Sequence, residues 1–121
     1  DPGRFELRLM DGSANPYLLQ ASVLAAGLDG LKNKINPGKP LNCNMYEDYK
    51  KYPELPKLPD ELSQSLEKLK NNKDMNEAFG QDVVNSYIKL RSSEIKEFNQ
   101  KESFDKTKAI TRWERDNTLD C

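Results

Sequence analysis

Three charged side chains near the start of the chain have the types and the spacing to bind an anion beside a metal ion. They are Arg4, Glu6 and Arg8, and they alternate with three apolar residues, Phe5, Leu7 and Leu9. In a β-strand, alternate side chains share a face, so neighbours in the charged row would lie about 7 Å apart. Arginine binds phosphate and carboxylate groups in a bidentate manner, and a glutamate oxygen suits a divalent cation. The row is therefore a candidate site for an anionic ligand and a metal.

The same row also fits an ordinary solvated strand face whose charges pair with each other or across strands. On spacing alone this structural explanation is the more common one. The apolar side of the row predicts a strand that packs on a core, within a larger antiparallel sheet. After it, an Asp11-Gly12-Ser13 turn leads to Asn15-Pro16, a cap side chain followed by a first-turn proline, which predicts the start of a helix.

The first predicted helix is rich in leucine and alanine over most of its faces, from Tyr17 to Leu28. This pattern is typical of a helix buried nearly all round, which needs neighbours on several sides. Gly27 and Gly30 each cost a helix interior about 1 kcal/mol relative to alanine, so they indicate close packing, and Gly30 alternatively marks the helix end.

Residues 32–59 contain five prolines and three tyrosines and predict a long loop of about 25 residues without regular structure. Loops of this length tend to be functional or disordered, and Tyr46 is the residue of most interest in it.

Helical patterns return after Pro59, with Leu62, Leu66 and Leu69 at helical spacing. A short helix is predicted from Asp74, as its cap, to Phe79, with Gly80 as its stop. A longer helix is predicted over residues 82–100, with one stripe formed by Val83, Val84, Tyr87, Ile88, Arg91, Ile95 and Phe98. Residues 104–121 predict a last helix that is packed by Trp113 and ends near Asp116 or Asn117. The expected fold class is an α+β fragment, mostly α, with one N-terminal strand of a larger antiparallel sheet followed by four or five helices.

Composition narrows the functional classes. The chain has 121 residues, only 36% of them hydrophobic, and a mean hydropathy of -0.90, which leaves it short of core material and suggests a part of something larger. Its 19 basic and 20 acidic residues are mixed along the sequence, so nothing indicates nucleic acid or a membrane surface as a partner. No apolar run reaches the roughly 18 residues of a transmembrane helix. The absence of histidine excludes Ser-His-Asp and Cys-His catalysis by this chain unaided.

Two cysteines, Cys43 and Cys121, are far apart in no metal or redox spacing. They are expected to be free thiols, which favours a reducing compartment and a cytoplasmic location. The first residue is aspartate rather than an initiator methionine, which fits a processed or truncated product.

Several segments together resemble the C-terminal part of the glutamine synthetase catalytic domain. They read RFELR, DGSANPYL, LAAGLDGLKNK, PG and NMY, at residues 4–8, 11–18, 24–34, 37–38 and 44–46. The closing WERDNTLDC, at residues 113–121, is similar to the tail of the type III branch, which also contains ligases for other γ-glutamyl amides. The resemblance spans nearly the whole chain, residues 1–121, and is weakest between residues 68 and 108.

The resemblance implies an ATP-dependent ligase that joins glutamate to ammonia through γ-glutamyl phosphate, with Mg²⁺ or Mn²⁺. It implies that Glu6 is a metal ligand on the ATP side, that Arg4 contacts the ATP phosphates, and that Arg8 is the catalytic arginine that engages glutamate and the developing γ-phosphate. It also implies a large homo-oligomer of same-family subunits. Tyr46 matches a position that is adenylylated in some members, but the residues after it differ from the usual Asp-Leu-Pro, so its modification is not expected.

The family's N-terminal domain, its other metal-binding residues and its substrate-closing loop have no counterpart in residues 1–121. The chain alone is therefore predicted to be inactive. Two alternatives stay open: a ligase that joins glutamate to another amine, and a non-catalytic helical module with a binding or regulatory role. Loss of ATP-linked activity on Glu6→Ala in a full-length protein would separate a ligase from the non-catalytic module.

Overall fold

The structure, a computed structural model, describes residues 3–101 and 110–118. Within these ranges it is helical, with a short 3₁₀ helix at Tyr49–Lys51 and six α-helices. The α-helices are α1 (Pro16–Lys32), α2 (Met45–Asp48), α3 (Leu62–Asn71), α4 (Lys73–Phe79), α5 (Gln81–Lys101) and α6 (Arg112–Thr118). The prediction of a mostly α chain is confirmed, while the predicted four or five helices are too few.

The N-terminal strand is not confirmed. Residues 4–9 carry no regular secondary structure and are exposed, and no strand occurs anywhere in the described ranges. The physical reason is that a strand is stabilised by ladder hydrogen bonds to a neighbour, and these residues have no neighbouring strand to pair with.

Helix α1 begins as predicted. The Asn15 side-chain oxygen accepts hydrogen bonds from the backbone N–H groups of Tyr17 and Leu18, at 3.0 and 3.1 Å, and Pro16 occupies the first turn. The helix runs past Gly30 and ends at Lys32, so Gly30 does not mark its end.

The expectation that α1 is buried nearly all round is wrong for the described residues. None of its residues is buried. A Cβ atom added at Gly27 or Gly30 would meet nothing within 4 Å, so the close packing predicted at these glycines is absent as well. The only helix that packs closely on α1 in the described part of the chain is α4.

The long loop is shorter than predicted because part of it is helical. Residues 45–51 form α2 and the 3₁₀ helix. Asn44 caps α2 by accepting a hydrogen bond from the backbone N–H of Tyr46, and Glu47 and Asp48 lie in its first turn, where carboxylates are favoured by the helix dipole.

The core of the described structure lies between α3 and α5. Leu66 of α3 and Val84 of α5 are its two buried apolar residues. Tyr87, Ile88 and other members of the stripe predicted for α5 are half-buried, which confirms the helical periodicity. Val83, at the edge of that stripe, is exposed.

Helix α4 is capped by Asn72 and not by Asp74. The Asn72 side chain accepts from the backbone N–H of Met75 at 2.9 Å, and Asp74 lies inside the first turn. Gly80 ends the helix as predicted. Its φ of 82° lies in a region that residues with a Cβ atom rarely adopt. The tight turn at Gly80 lets α5 fold back beside α3 and α4.

Helix α6 packs through Trp113, as predicted. The Trp113 and Phe98 rings meet edge to face, with centroids 5.6 Å apart and an interplanar angle of 81°. Thr111 and Glu114 form a reciprocal capping box, because Thr111 N–H donates to Glu114 Oε2 and Glu114 N–H donates to Thr111 Oγ1. Residues 104–109 and 119–121 of the tail in which this helix was predicted lie outside the described ranges, and α6 ends at Thr118.

Candidate functional site

The candidate site is the charged row of Arg4, Glu6 and Arg8, on the exposed segment that leads into α1. Glu6 and Arg8 lie on one side of that segment, where Arg8 Nε donates to Glu6 Oε1 at 2.5 Å. Both side chains are open to solvent, with exposed fractions of 77% for Arg8 and 66% for Glu6. Within the described ranges no ion pair involves Arg4. The structure thus brings two of the three predicted residues into contact.

A hydrogen-bonded turn connects the charged row to α1. The Asp11 carboxylate accepts from the backbone N–H of Ser13 at 2.8 Å and from the Ser13 hydroxyl at 2.6 Å. The Ala14 N–H also donates to the Asp11 carbonyl oxygen at 3.2 Å. The two bonds from Ser13 lower the pKa of Asp11, first through the hydroxyl and then through the backbone N–H. Sequence reasoning identified the turn but missed this carboxylate, although an Asp two residues before a Ser is a signal for it.

A divalent cation fits this row only in part. Glu6 offers carboxylate oxygens, which suit Mg²⁺ and Mn²⁺, yet these ions take about six ligands. No group of three or more His, Cys, Asp and Glu side chains close enough to hold a metal occurs among residues 3–101 and 110–118. Within the described ranges, Glu6 therefore offers carboxylate oxygens but not a complete set of metal ligands.

Tyr46, the other residue of interest, is exposed to solvent. Its side chain is 87% exposed at the second position of α2. Cys43, two residues before the start of that helix, is half-buried and its Sγ lies 3.6 Å from the Sδ of Met45. Within the described part of the chain, the hydrogen bonds of these two residues stay inside the loop and α2, so they do not extend the candidate site.

The family model for the glutamine synthetase catalytic domain matches residues 1–117 of the chain. The chain belongs to the glutamine synthetase catalytic-domain family. The match includes the charged row, α1, the loop and all the helices that follow, so the resemblance inferred from the sequence is confirmed. The exposed Arg4, Glu6 and Arg8 lie within the matched residues.

Curated glutamine synthetases resemble this chain over nearly all of its length. The protein from Rhizobium meliloti (strain 1021) is 40% identical over 119 residues, which cover 98% of this chain and 26% of that relative. The protein from Rhizobium leguminosarum bv. phaseoli is 38% identical with the same coverage. The Methanosarcina mazei protein is 39% identical over 98 residues, 78% of this chain and 22% of that relative. The chain thus spans about a quarter of the length of these glutamine synthetases. No solved structure matches it.

Proposed function

We propose that this chain is the C-terminal segment of the catalytic domain of an ATP-dependent glutamate-ammonia ligase. The observation that carries the proposal is the match of residues 1–117 to the glutamine synthetase catalytic domain. In the proposed reaction an oxygen of the glutamate γ-carboxylate attacks the γ-phosphorus of ATP and ADP leaves. Ammonia then displaces phosphate from the γ-glutamyl phosphate, loses a proton and yields glutamine.

In this proposal each residue of the charged row has one role. Arg4 binds the phosphates of ATP, Glu6 provides a ligand to the divalent metal, and Arg8 engages glutamate and the phosphoryl group in transfer. When bound, Mg²⁺ or Mn²⁺ would neutralise phosphate charge. Phosphoryl transfer depends mainly on positioning and on charge stabilisation, which guanidinium groups provide at the phosphate oxygens.

The contact between Arg8 and Glu6 is compatible with these roles because it is solvent-exposed. Exposed ion pairs contribute only about 0–1 kcal/mol, so exchanging one partner for a ligand costs little. Engagement of the Glu6 carboxylate by a cation would leave the Arg8 guanidinium available to an anionic substrate. Arginine is suited to that task by its planar, bidentate geometry.

The remaining elements of the proposal concern the whole protein. We expect a homo-oligomer of same-family subunits in the cytoplasm, without nucleic acid or a membrane as a partner. In the described ranges no helix has the length and apolar character needed to cross a membrane. The 121-residue chain alone is expected to be inactive, because its described residues do not bring further metal ligands together with Glu6.

The test is an assay of the longer polypeptide that contains this segment, supplied with glutamate, ATP, ammonia and Mg²⁺ or Mn²⁺. We expect one glutamine and one phosphate per ADP formed, and no product from the 121-residue chain. Product formation with an alkylamine but not with ammonia would instead assign a γ-glutamyl amide ligase. Absence of ADP formation with any amine would contradict the proposal and favour a non-catalytic helical module.

A further inference from the structure

The chain contains the dipeptide Asp-Gly twice, in two different structural settings. Asp11-Gly12 lies in the exposed turn before α1, whereas Asp29-Gly30 lies inside α1. Aspartate followed by glycine is open to ring closure between the two residues, because glycine has no Cβ to hinder the approach to its backbone nitrogen. Since the reacting residues are the same in both pairs, their surroundings decide which pair reacts.

The reaction is a condensation within the main chain. The glycine nitrogen, after loss of its proton, attacks Cγ of the aspartyl carboxyl group. A C–N bond forms, a C–O bond breaks and one water leaves, which gives a cyclic succinimide. Water then adds to the ring carbonyl next to Cα, and the C–N bond at that carbonyl breaks. The main chain now continues through Cγ, and the former main-chain carbonyl group is a free carboxylate: the residue has become isoaspartate.

At Asp11 the carboxyl group is turned towards the nitrogen that attacks it. The carboxylate accepts from the Ser13 backbone N–H at 2.8 Å and from the Ser13 hydroxyl at 2.6 Å. These bonds fold the side chain forward along the chain, to the same side as the Gly12 nitrogen. Within the described ranges the Gly12 N–H donates no hydrogen bond. Ring closure at Asp11 therefore breaks no hydrogen bond of the attacking N–H group.

At Asp29 the helix opposes the same reaction. Backbone N–H groups inside α1 are bound to the carbonyl four residues earlier, and Gly30 lies inside α1. The Asp29 carboxylate accepts from Asn33 Nδ2 at 2.6 Å, so it is turned towards the next helical turn. The carbonyl oxygens of Asp29 and Gly30 accept from the N–H groups of Asn33 and Ile35, both at 2.9 Å. Ring closure at Asp29 therefore requires the last turn of α1 to open first.

We propose that Asp11 is a site of spontaneous isoaspartate formation and that α1 protects Asp29 from the same modification. Water is the only co-reactant, since one molecule leaves in ring closure and one is consumed in ring opening. Residues 11–13 are all exposed, so water reaches the succinimide directly. The site does not depend on the proposed function.

The modification changes the connection between the charged row and α1. Isoaspartate adds one methylene to the main chain and removes the side-chain carboxylate that accepts from Ser13. The turn that leads to the Asn15 cap of α1 is then longer and has lost these two hydrogen bonds. Formation of isoaspartate at Asp11 thus alters how the segment that carries Arg8 enters the helix.

Peptide mapping of aged protein tests the inference without any variant. The longer polypeptide is incubated at neutral pH and digested, and isoaspartate at Asp11 and Asp29 is measured from its diagnostic fragment ions in mass spectrometry. We expect isoaspartate to form at least about tenfold faster at Asp11 than at Asp29, because reaction at Asp29 needs prior opening of the helix. In guanidinium chloride, which removes both the turn and the helix, the two rates should agree within about twofold.

Three results would overturn the inference. Two of them are equal rates at Asp11 and Asp29 in the folded polypeptide, and a faster rate at Asp29. The third is a difference that persists in guanidinium chloride, because the flanking sequence and not the fold would then be its cause. Each readout is a modification rate, so failure of this inference is distinguishable from absence of ligase activity.

A matched pair of alanine variants adds an independent measurement. Gly12→Ala places a methyl group beside the attacking nitrogen, and alanine fits there because a Cβ atom would meet nothing within 4 Å. Gly30→Ala makes the same change inside α1, where a Cβ atom likewise meets nothing within 4 Å. We expect Gly12→Ala to slow isoaspartate formation at Asp11 about tenfold, whereas Gly30→Ala should leave that rate unchanged. Equal rates at Asp11 in the two variants would contradict the inference.

Discussion

Arg8 donates a hydrogen bond from Nε to Glu6 Oε1. This bond joins the two residues of the charged row that are expected to bind substrate and metal. The pair forms on a segment without regular structure, so this contact between residues two positions apart does not need a β-strand. The pair holds the two charged groups near each other. Because it is exposed to solvent, the contact contributes little to stability.

The two arginines are expected to differ in which substrate they affect. In the longer polypeptide, Arg8→Lys should lower kcat/KM for glutamate by about 100-fold, because lysine keeps the charge but loses the bidentate fork. Arg4→Lys should act mainly on the KM for ATP. Steady-state kinetics with each substrate varied in turn measures both effects.

Arg112→Lys provides the matched control, since Arg112 is an exposed arginine of α6 whose ion pair is with Asp116 at 3.5 Å. It should leave both KM values unchanged. If Arg8→Lys and Arg112→Lys gave the same kinetics, the role proposed for Arg8 in substrate binding would be wrong.

The turn at Asp11 should make the local structure before α1 sensitive to acid. Its hydrogen bonds from Ser13 lower the folded-state pKa of Asp11 below the ordinary value of 3.8. A lowered pKa stabilises the fold at pH values above 3.8, and this contribution is lost as the pH falls through the folded-state value. The Ser13 amide shift, followed by NMR against pH, should therefore have its midpoint below 3.8.

The control for this titration is Ser13→Ala, which removes the hydroxyl bond but keeps the backbone N–H. The midpoint should then move up towards 3.8. An Asp11 midpoint at or above 3.8 in the unmodified chain would show that the turn is not held by these bonds.

The core between α3 and α5 should dominate the stability of the described chain. Leu66 is only 7% exposed, so Leu66→Ala should lower the free energy of unfolding by about 2 kcal/mol or more through lost burial and the cavity left behind. Leu90→Ala, at an exposed site of α5, should change it by no more than about 0.5 kcal/mol. Urea unfolding followed by circular dichroism at 222 nm compares the two. Equal losses would contradict the assignment of the core to the α3 and α5 contact.

Features governed by neighbouring residues could be predicted from the sequence. The Asn15 cap, Pro16 in the first turn and the Gly80 stop each depend on a few adjacent residues, and all three occur as expected. Missed features of this local kind had signals too. Asn44 followed by an acidic first turn indicated α2, and Thr111 with Glu114 three residues later indicated a capping box.

Features that depend on contacts with residues distant in sequence do not form in the described residues. The alternation of residues 4–9 indicates a strand, but ladder hydrogen bonds need a second strand, which the described residues do not provide. The apolar pattern of α1 likewise indicates burial on several sides, whereas only α4 lies against it. Both predictions describe what the sequence is suited to when packing partners are present.

The central claim is that Glu6 serves a metal-dependent ligase, and the substitution Glu6→Gln in the longer polypeptide tests it most directly. The amide keeps the size of the side chain but loses its charge, so ATP-dependent glutamine formation should fall by at least about 100-fold. Glu54→Gln, at an exposed glutamate of the loop, should leave the rate unchanged. Raising the Mg²⁺ or Mn²⁺ concentration should recover part of the activity of Glu6→Gln, because the defect is weaker metal binding. Undiminished glutamine formation by Glu6→Gln, equal to that of Glu54→Gln, would contradict the account.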